Sequence, residues 1–252
     1  MTRPHVRRTE DWVRALEPSP QAASRVLVCP HAGASAGAFT ALAGGLAPGV
    51  ELLAVQYPGR QDRRSEPAVR DVSVLAERIA DEVRPWTDRP MAVLGHSMGA
   101  AVAFEVTRRL EDDGTAPVRL FVSGRRAPGA GLGLPPPESD DDIVAELRRT
   151  DAVPRKLLER AAYRESILSV LRHDFHANAT YRCPTGTRVL SPITFLLSDE
   201  DPYVDGEGAQ GWADHTESDL DVVRFPGGHD FLLTSSDAVI SEVRAGLSRP
   251  VR

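Results

Sequence analysis

The stretch Met91–Val106, "MAVLGHSMGAAVAFEV", decides how the rest of the chain is read. A short apolar run leads into Gly95-His96-Ser97-Met98-Gly99, and an alanine-rich run with helical character follows. A strand that enters a helix through Gly-x-Ser-x-Gly makes a sharp turn. The serine takes a strained backbone conformation at its tip, and glycines two residues to either side let strand and helix pass without a clash. Read this way, Ser97 is a nucleophile held above a sheet edge, and His96 points back into the protein beside the strand. The competing reading is a structural turn. The flanking strand and helix favour the nucleophile.

Outward from that turn, strand-like and helix-like segments alternate. Short apolar runs at Ser24–Pro30, Gly49–Gly59, Met91–Gly95, Val118–Gly124, Ser191–Pro202 and Asp219–Phe231 predict six strands. Helical spacing of Val74, Leu75, Ile79 and Val83 predicts a helix over 72–86. Others are expected from Met98 to Gly114 and from Ser236 to Leu247. Continuous apolar strands alternating with helices imply an α/β fold with a mostly parallel central sheet covered on both faces.

One region breaks the rhythm. Between the fourth and fifth predicted strands the chain runs for about seventy residues without a clear strand, far beyond an ordinary α/β connection. It opens with "APGAGLGLPPPESDDD", rich in proline and glycine. Ser139 and Asp142 then form a variant of the capping box ahead of "IVAELRR". Pro154 fits the first turn of a following helix, and "YRESILSVLRHDFHANATY" continues as helix. The segment, about 127–186, reads as a helical lid inserted into a single domain spanning 1–252; a plain packing subdomain is the alternative. Its position after a strand end, where ligand clefts form in open α/β sheets, favours the lid.

A serine hydroxyl needs a base to take its proton. For this turn the expected chain order is serine, acid, histidine. His229, in "RFPGGHDFLL" after the last predicted strand, is the best base. His31 lies closer to an oxyanion role, and His173 and His176 read as solvated or structural. His5 and His215 have no catalytic context. The loop "SDEDPYV" offers the acid that orients the imidazole. Asp201 lies furthest past the strand end and is preferred, with Asp199 the runner-up. Acyl transfer also needs donors to a developing oxyanion. The backbone N–H of Met98 is one, and the glycine-rich loop "CPHAGASAGAF" (Cys29–Phe39) supplies Ala32 as the second. That loop lacks the Gly-Lys-Ser/Thr ending of a phosphate-binding P-loop.

The remaining features set bounds. The 252 residues, 41% hydrophobic and 26% charged, are long enough for one sizeable core. A net charge of −6 argues against a nucleic-acid partner. No apolar run has signal-peptide or membrane-span length, so no membrane association and a cytoplasmic location are expected. Cys29 and Cys183 form neither a disulfide framework nor a metal motif, and no metal is expected.

Taken together, "CPHAGASAGAF", "VQYPGRQDRRSEP", "LGHSMGAAVAFEV", "FVSGRRAPG", "LRHDFHANATY", "DEDPYV" and "FPGGHDFLL" resemble the type II thioesterases that accompany polyketide and nonribosomal peptide synthetases. The segments fall in family order from about Val26 to Leu233. The resemblance implies an α/β-hydrolase fold with a lid, a Ser97–His229–Asp201 triad, oxyanion donors at Met98 and Ala32, and no cofactor. It implies a monomer that clears stalled or misprimed acyl groups from the phosphopantetheine arm of an acyl or peptidyl carrier protein. Arg60, Arg63, Arg64, Arg125 and Arg126 are candidates for a carrier-docking rim, ordinary surface or structural arginines being the alternative. Other readings are a product-releasing thioesterase, a small-molecule esterase, or a catalytically idle binding subunit.

Overall fold

The computed structural model describes residues 12–131, 137–149, 153 and 155–249. His5 and Pro154 lie outside them. Seven strands form one sheet: β1 (Val13–Ala15), β2 (Ser24–Cys29), β3 (Val50–Val55), β4 (Met91–His96), β5 (Arg119–Ser123), β6 (Ile193–Ser198) and β7 (Leu220–Phe225). Their order is β1-β3-β2-β4-β5-β6-β7, and every pairing is parallel except the antiparallel edge pair β1–β3. All six strands expected from the sequence are present; β1, three residues long, is the addition.

Side-chain alternation explains why the inner strands are mostly apolar, with both faces buried. On β2, Leu27 and Cys29 enter one core layer while Val26 and Val28 enter the other. The first layer packs α2 (Val72–Val83) and α3 (Met98–Asp112) against the sheet. The second packs α1 (Thr40–Leu46) and α9 (Ser236–Ser248), through Leu42, Leu46, Val239 and Val243. Local signals set the helix ends. The Asp71 carboxylate accepts from the N–H groups of Ser73 and Val74 and caps α2, which stops just before Pro85. Helix α3 ends ahead of Gly114, whose φ is +75°.

The long connection between β5 and β6 is helical, as expected. It contains α4 (Asp140–Arg149), α5 (Arg155–Leu158) and α6 (Ala161–Thr180). Its start carries the capping box: Asp142 N–H donates to Ser139 Oγ at 3.2 Å, and Asp142 Oδ2 accepts from Ser139 N–H at 2.9 Å. The insertion has a small apolar cluster of its own, including Ile143, Val144, Leu147, Leu168 and Leu171, and Ala32 from the loop after β2 packs on it. Among the described residues the remaining α-helices are the short α7 (Gly206–Gln210) and α8 (Phe231–Thr234). No helix among the described residues is long and apolar enough to cross a membrane.

Topology locates the cleft. The chain leaves β2, crosses out to β3, and returns to β4 on the other side of β2. The loops that follow β2 and β4 therefore diverge at their carboxyl ends, the position where open α/β sheets bind ligands.

Candidate active site

At the end of β4 the backbone turns through Ser97, with φ 54° and ψ −120°, straight into α3. This is left-handed-region backbone on a residue with a Cβ, and it is strained. The two glycines are required by close approach. A Cβ on Gly95 would lie 2.2 Å from the carbonyl oxygen of Gly99, and one on Gly99 would lie 2.0 Å from that of Cys29. The second contact presses the N-terminus of α3 against the end of β2. The first N–H groups of α3, Met98 included, have no partner within the helix and sit at the positive end of its dipole.

The loop after β2 begins with a tight turn. Ala34 N–H donates to His31 O at 3.1 Å, and Gly33, at the third position, has φ +79°; this is a type II turn with Ala32 at its second position. The Tyr57 hydroxyl braces its entry by donating to Pro30 O at 3.2 Å.

Across the sheet, His229 Nδ1 is hydrogen-bonded to Asp201 Oδ2 at 2.9 Å. The Asp201 side chain is fully buried. Its other oxygen accepts from Tyr203 N–H at 2.9 Å, and the Tyr203 ring lies against the imidazole with centroids 4.5 Å apart. Asp199 turns outward to Arg224 at 2.9 Å. Of the two acids the sequence left open, it is therefore Asp201 that meets the histidine. The loops carrying Asp201 and His229 are stitched together. Ser198 Oγ donates to the carbonyls of Gly227 and Gly228, and Glu200 N–H donates to Gly227 O at 3.0 Å.

His96 joins the two halves. It is buried, its Nδ1 is 2.7 Å from Ser123 Oγ, and its ring lies 4.7 Å from that of His229 and 5.5 Å from that of His31. Gly124 follows β5 directly beneath: a Cβ there would approach both His96 and His229 within 2.8 Å. Burial first, and then the neighbouring His229, hold the His96 imidazole well below its usual range and bring that of His31 down to about 4, with Arg60 adding to the latter. Both rings stay neutral near pH 7. Asp230, 3.9 Å from His96 Nε2, is raised by burial; His229 pulls it down and Asp201 lifts it.

The arginines require a correction. Arg60, Arg63 and Arg125 are buried and do not make a solvent-facing rim. Arg60 pairs with Asp174 of α6 and lies over the Tyr57 ring. Arg63 bonds Glu66 and the Gln56 carbonyl and lies over Trp12. Arg125 donates to Asn178 and lies over Tyr181, and burial lowers it to about 10. Guanidinium groups suit these sites because planar faces stack on rings while the rim donates. Arg64 is exposed and Arg126 half-buried. His176 is exposed, His173 half-buried, and His215 is bonded to Thr187 O at 3.0 Å. The residues that sequence reasoning missed are Gly124, Tyr203 and Asp174. "HDFHANATY" had stood out as a motif, but its partners lie far away in sequence.

The thioesterase-domain family model matches residues 24–247. The chain belongs to the thioesterase family. Over 237 residues it is 40% identical to a Streptomyces griseus protein described as a "probable cadicidin biosynthesis thioesterase", covering 94% of this chain and 66% of that protein's length. It is 38% identical over 224 residues to the thioesterase PikA5 of Streptomyces venezuelae, covering 88% of this chain and 80% of the other. The solved structure of the type II thioesterase BorB from the borrelidin biosynthetic cluster superposes with a TM-score of 0.84 at 36% identity, covering 96% of this chain and all of that one. Membership places this thioesterase among the thioester hydrolases, and its architecture is that of type II members of the family.

Proposed function

We propose that this thioesterase removes stalled or misprimed acyl groups from the phosphopantetheine arms of carrier proteins in a polyketide or nonribosomal peptide pathway, acting as a cytoplasmic monomer. The observation that carries the reading is the buried Asp201–His229 pair, whose imidazole lies 4.7 Å, ring to ring, from His96, the residue before Ser97 in the turn. Relatives with type II thioesterase names from such pathways support the substrate class.

In the proposed mechanism His229 takes the Ser97 proton as Oγ attacks the thioester carbon. The N–H groups of Met98 and Ala32 receive the oxyanion. Asp201 stays ionised, fixes the tautomer in which Nδ1 carries hydrogen, and stabilises the imidazolium. The C–S bond breaks; a thiol of pKa near ~8.5 is an easy leaving group, and His229 returns the proton. Water, activated by the same base, then attacks the acyl-Ser97 ester and releases the acid. No step draws on a metal or organic cofactor. The α4–α6 insertion is the lid, covering the cleft from the side of the Ala32 loop.

The test is hydrolysis of acetyl- and longer acyl-loaded carrier protein, wild type beside Ser97→Ala, read as free holo-carrier by intact mass. Loss of acyl groups with the wild type alone supports the proposal. A strong preference for small oxygen esters would move the protein to the esterases, and no turnover on any ester, with both proteins folded, to a binding subunit.

A further inference from the structure

The motif "YPGR" and the α6 motif "HDF" meet in the interior. Arg60 and Asp174, which are 114 residues apart in sequence, form an ion pair in which both side chains are 5% exposed. The same oxygen, Asp174 Oδ2, accepts from Gly33 N–H at 2.7 Å. Gly33 is the third residue of the type II turn that presents Ala32. Types I and II differ by a flip of their central peptide, here Ala32–Gly33. An acceptor fixed on Gly33 N–H therefore selects one of two turn geometries, and with it the orientation of the neighbouring backbone. Contact from α6 leaves no slack: a Cβ on Gly33 would lie 2.9 Å from Leu171 Cδ2.

We propose that Asp174 is a positioning residue of the oxyanion hole, its carboxylate held by Arg60 so that Gly33 N–H is fixed and the His31–Ala34 turn presents the Ala32 N–H to the tetrahedral intermediate. This rests on the serine-thioesterase reading above. A helix of the insertion thereby completes the oxyanion hole as well as covering the cleft. Arg60 serves by holding the buried carboxylate in place and aimed at Gly33 N–H; solvent screens neither group.

Arg60→Met/Asp174→Leu removes the acceptor and leaves no unpaired buried charge, a replacement that buried ion pairs commonly tolerate. On a small pantetheine thioester, its kcat per fluorophosphonate-titrated site is expected to fall roughly ten- to a hundredfold, with KM held within about threefold. Affinity for a trifluoromethyl ketone analogue, whose adduct carries the oxyanion, falls in proportion to kcat/KM, while affinity for an unreactive thioether analogue does not change. Arg60→Met/Asp174→Asn restores most of kcat, because the amide oxygen again accepts from Gly33. Asp174→Glu is the second probe should the apolar pair not fold: it keeps the charge but lengthens the arm, and kcat falls at constant KM. An active wild type beside variants with unchanged kcat, or equal weakening of ketone and thioether, overturns the assignment of Asp174 alone. No thioester turnover by the wild type overturns it together with the reading it rests on.

Discussion

Ser97 is held in left-handed-region backbone, at φ 54°, by two contacts that no side chain larger than glycine's would permit. The strain is local, and the packing of α3 onto the ends of β2 and β4 sustains it. Gly99→Ala should therefore destabilise the protein by at least about 3 kcal/mol in urea unfolding, because its new methyl group meets backbone carbonyls that cannot move aside. The acids separate as cleanly. Asp201→Asn presents the wrong partner to His229 Nδ1, and kcat should drop by roughly 10³–10⁴-fold. Asp199→Asn alters only an exposed pair with Arg224 and should leave kcat within about twofold. Steady-state kinetics on a pantetheine thioester check both; equal losses would show that the tautomer argument has the wrong acid.

At the scale of elements, what the sequence made legible and what it hid divide along the distance between partners. Ser139 with Asp142 at α4 and Gly95-x-Ser97-x-Gly99 are signals written within five residues, and each produces the local structure expected of it. The burial of Arg60, Arg63 and Arg125 was not legible. Arginine-rich loops read as surface, and the groups that draw two of these side chains inward, Asp174 and Asn178, lie on α6, a helix within the long insertion. Strand β1 was missed because three residues give no measurable alternation; pairing with β3 creates it. Asp199 and Asp201 stood two residues apart in one acidic loop, and only the fold brings His229 to one of them. The α4 capping box gives its own prediction. Ser139→Ala should cost about 1 kcal/mol, seen as faster amide exchange in the first turns of α4. Unchanged exchange would mean that the cap does not hold this helix.

Across the whole molecule, the buried His31 and His96 at the sheet's carboxyl end tie stability to pH. In the unfolded chain His31 and His96 titrate near ~6.5. In the folded protein burial lowers His31 to about 4 and holds His96 well below its usual range. Between those values the unfolded state binds more protons, so stability is present above pH ~6.5 and is lost as pH falls toward 4. Thermal unfolding should show Tm decreasing over this window, less steeply in His96→Asn; an identical slope would remove His96 from the account. The exterior carries a separate expectation. Arg64 is exposed, unlike its buried neighbours. If it helps to dock an acidic carrier, Arg64→Glu raises KM for the loaded carrier and not for a free pantetheine thioester. Equal effects on both substrates would sink that role.

In the proposed mechanism a thioester acyl group passes through Ser97 on its way to water. The most direct measurement is to mix the protein with excess acyl-loaded carrier, quench in acid within the first turnover, and map the acylated peptide by mass. One acyl group is expected on the peptide containing Ser97, absent in Ser97→Ala and present at higher occupancy in His229→Ala acylated with an activated thioester. Turnover without any acyl-Ser97, or with the acyl group on another residue, would contradict it.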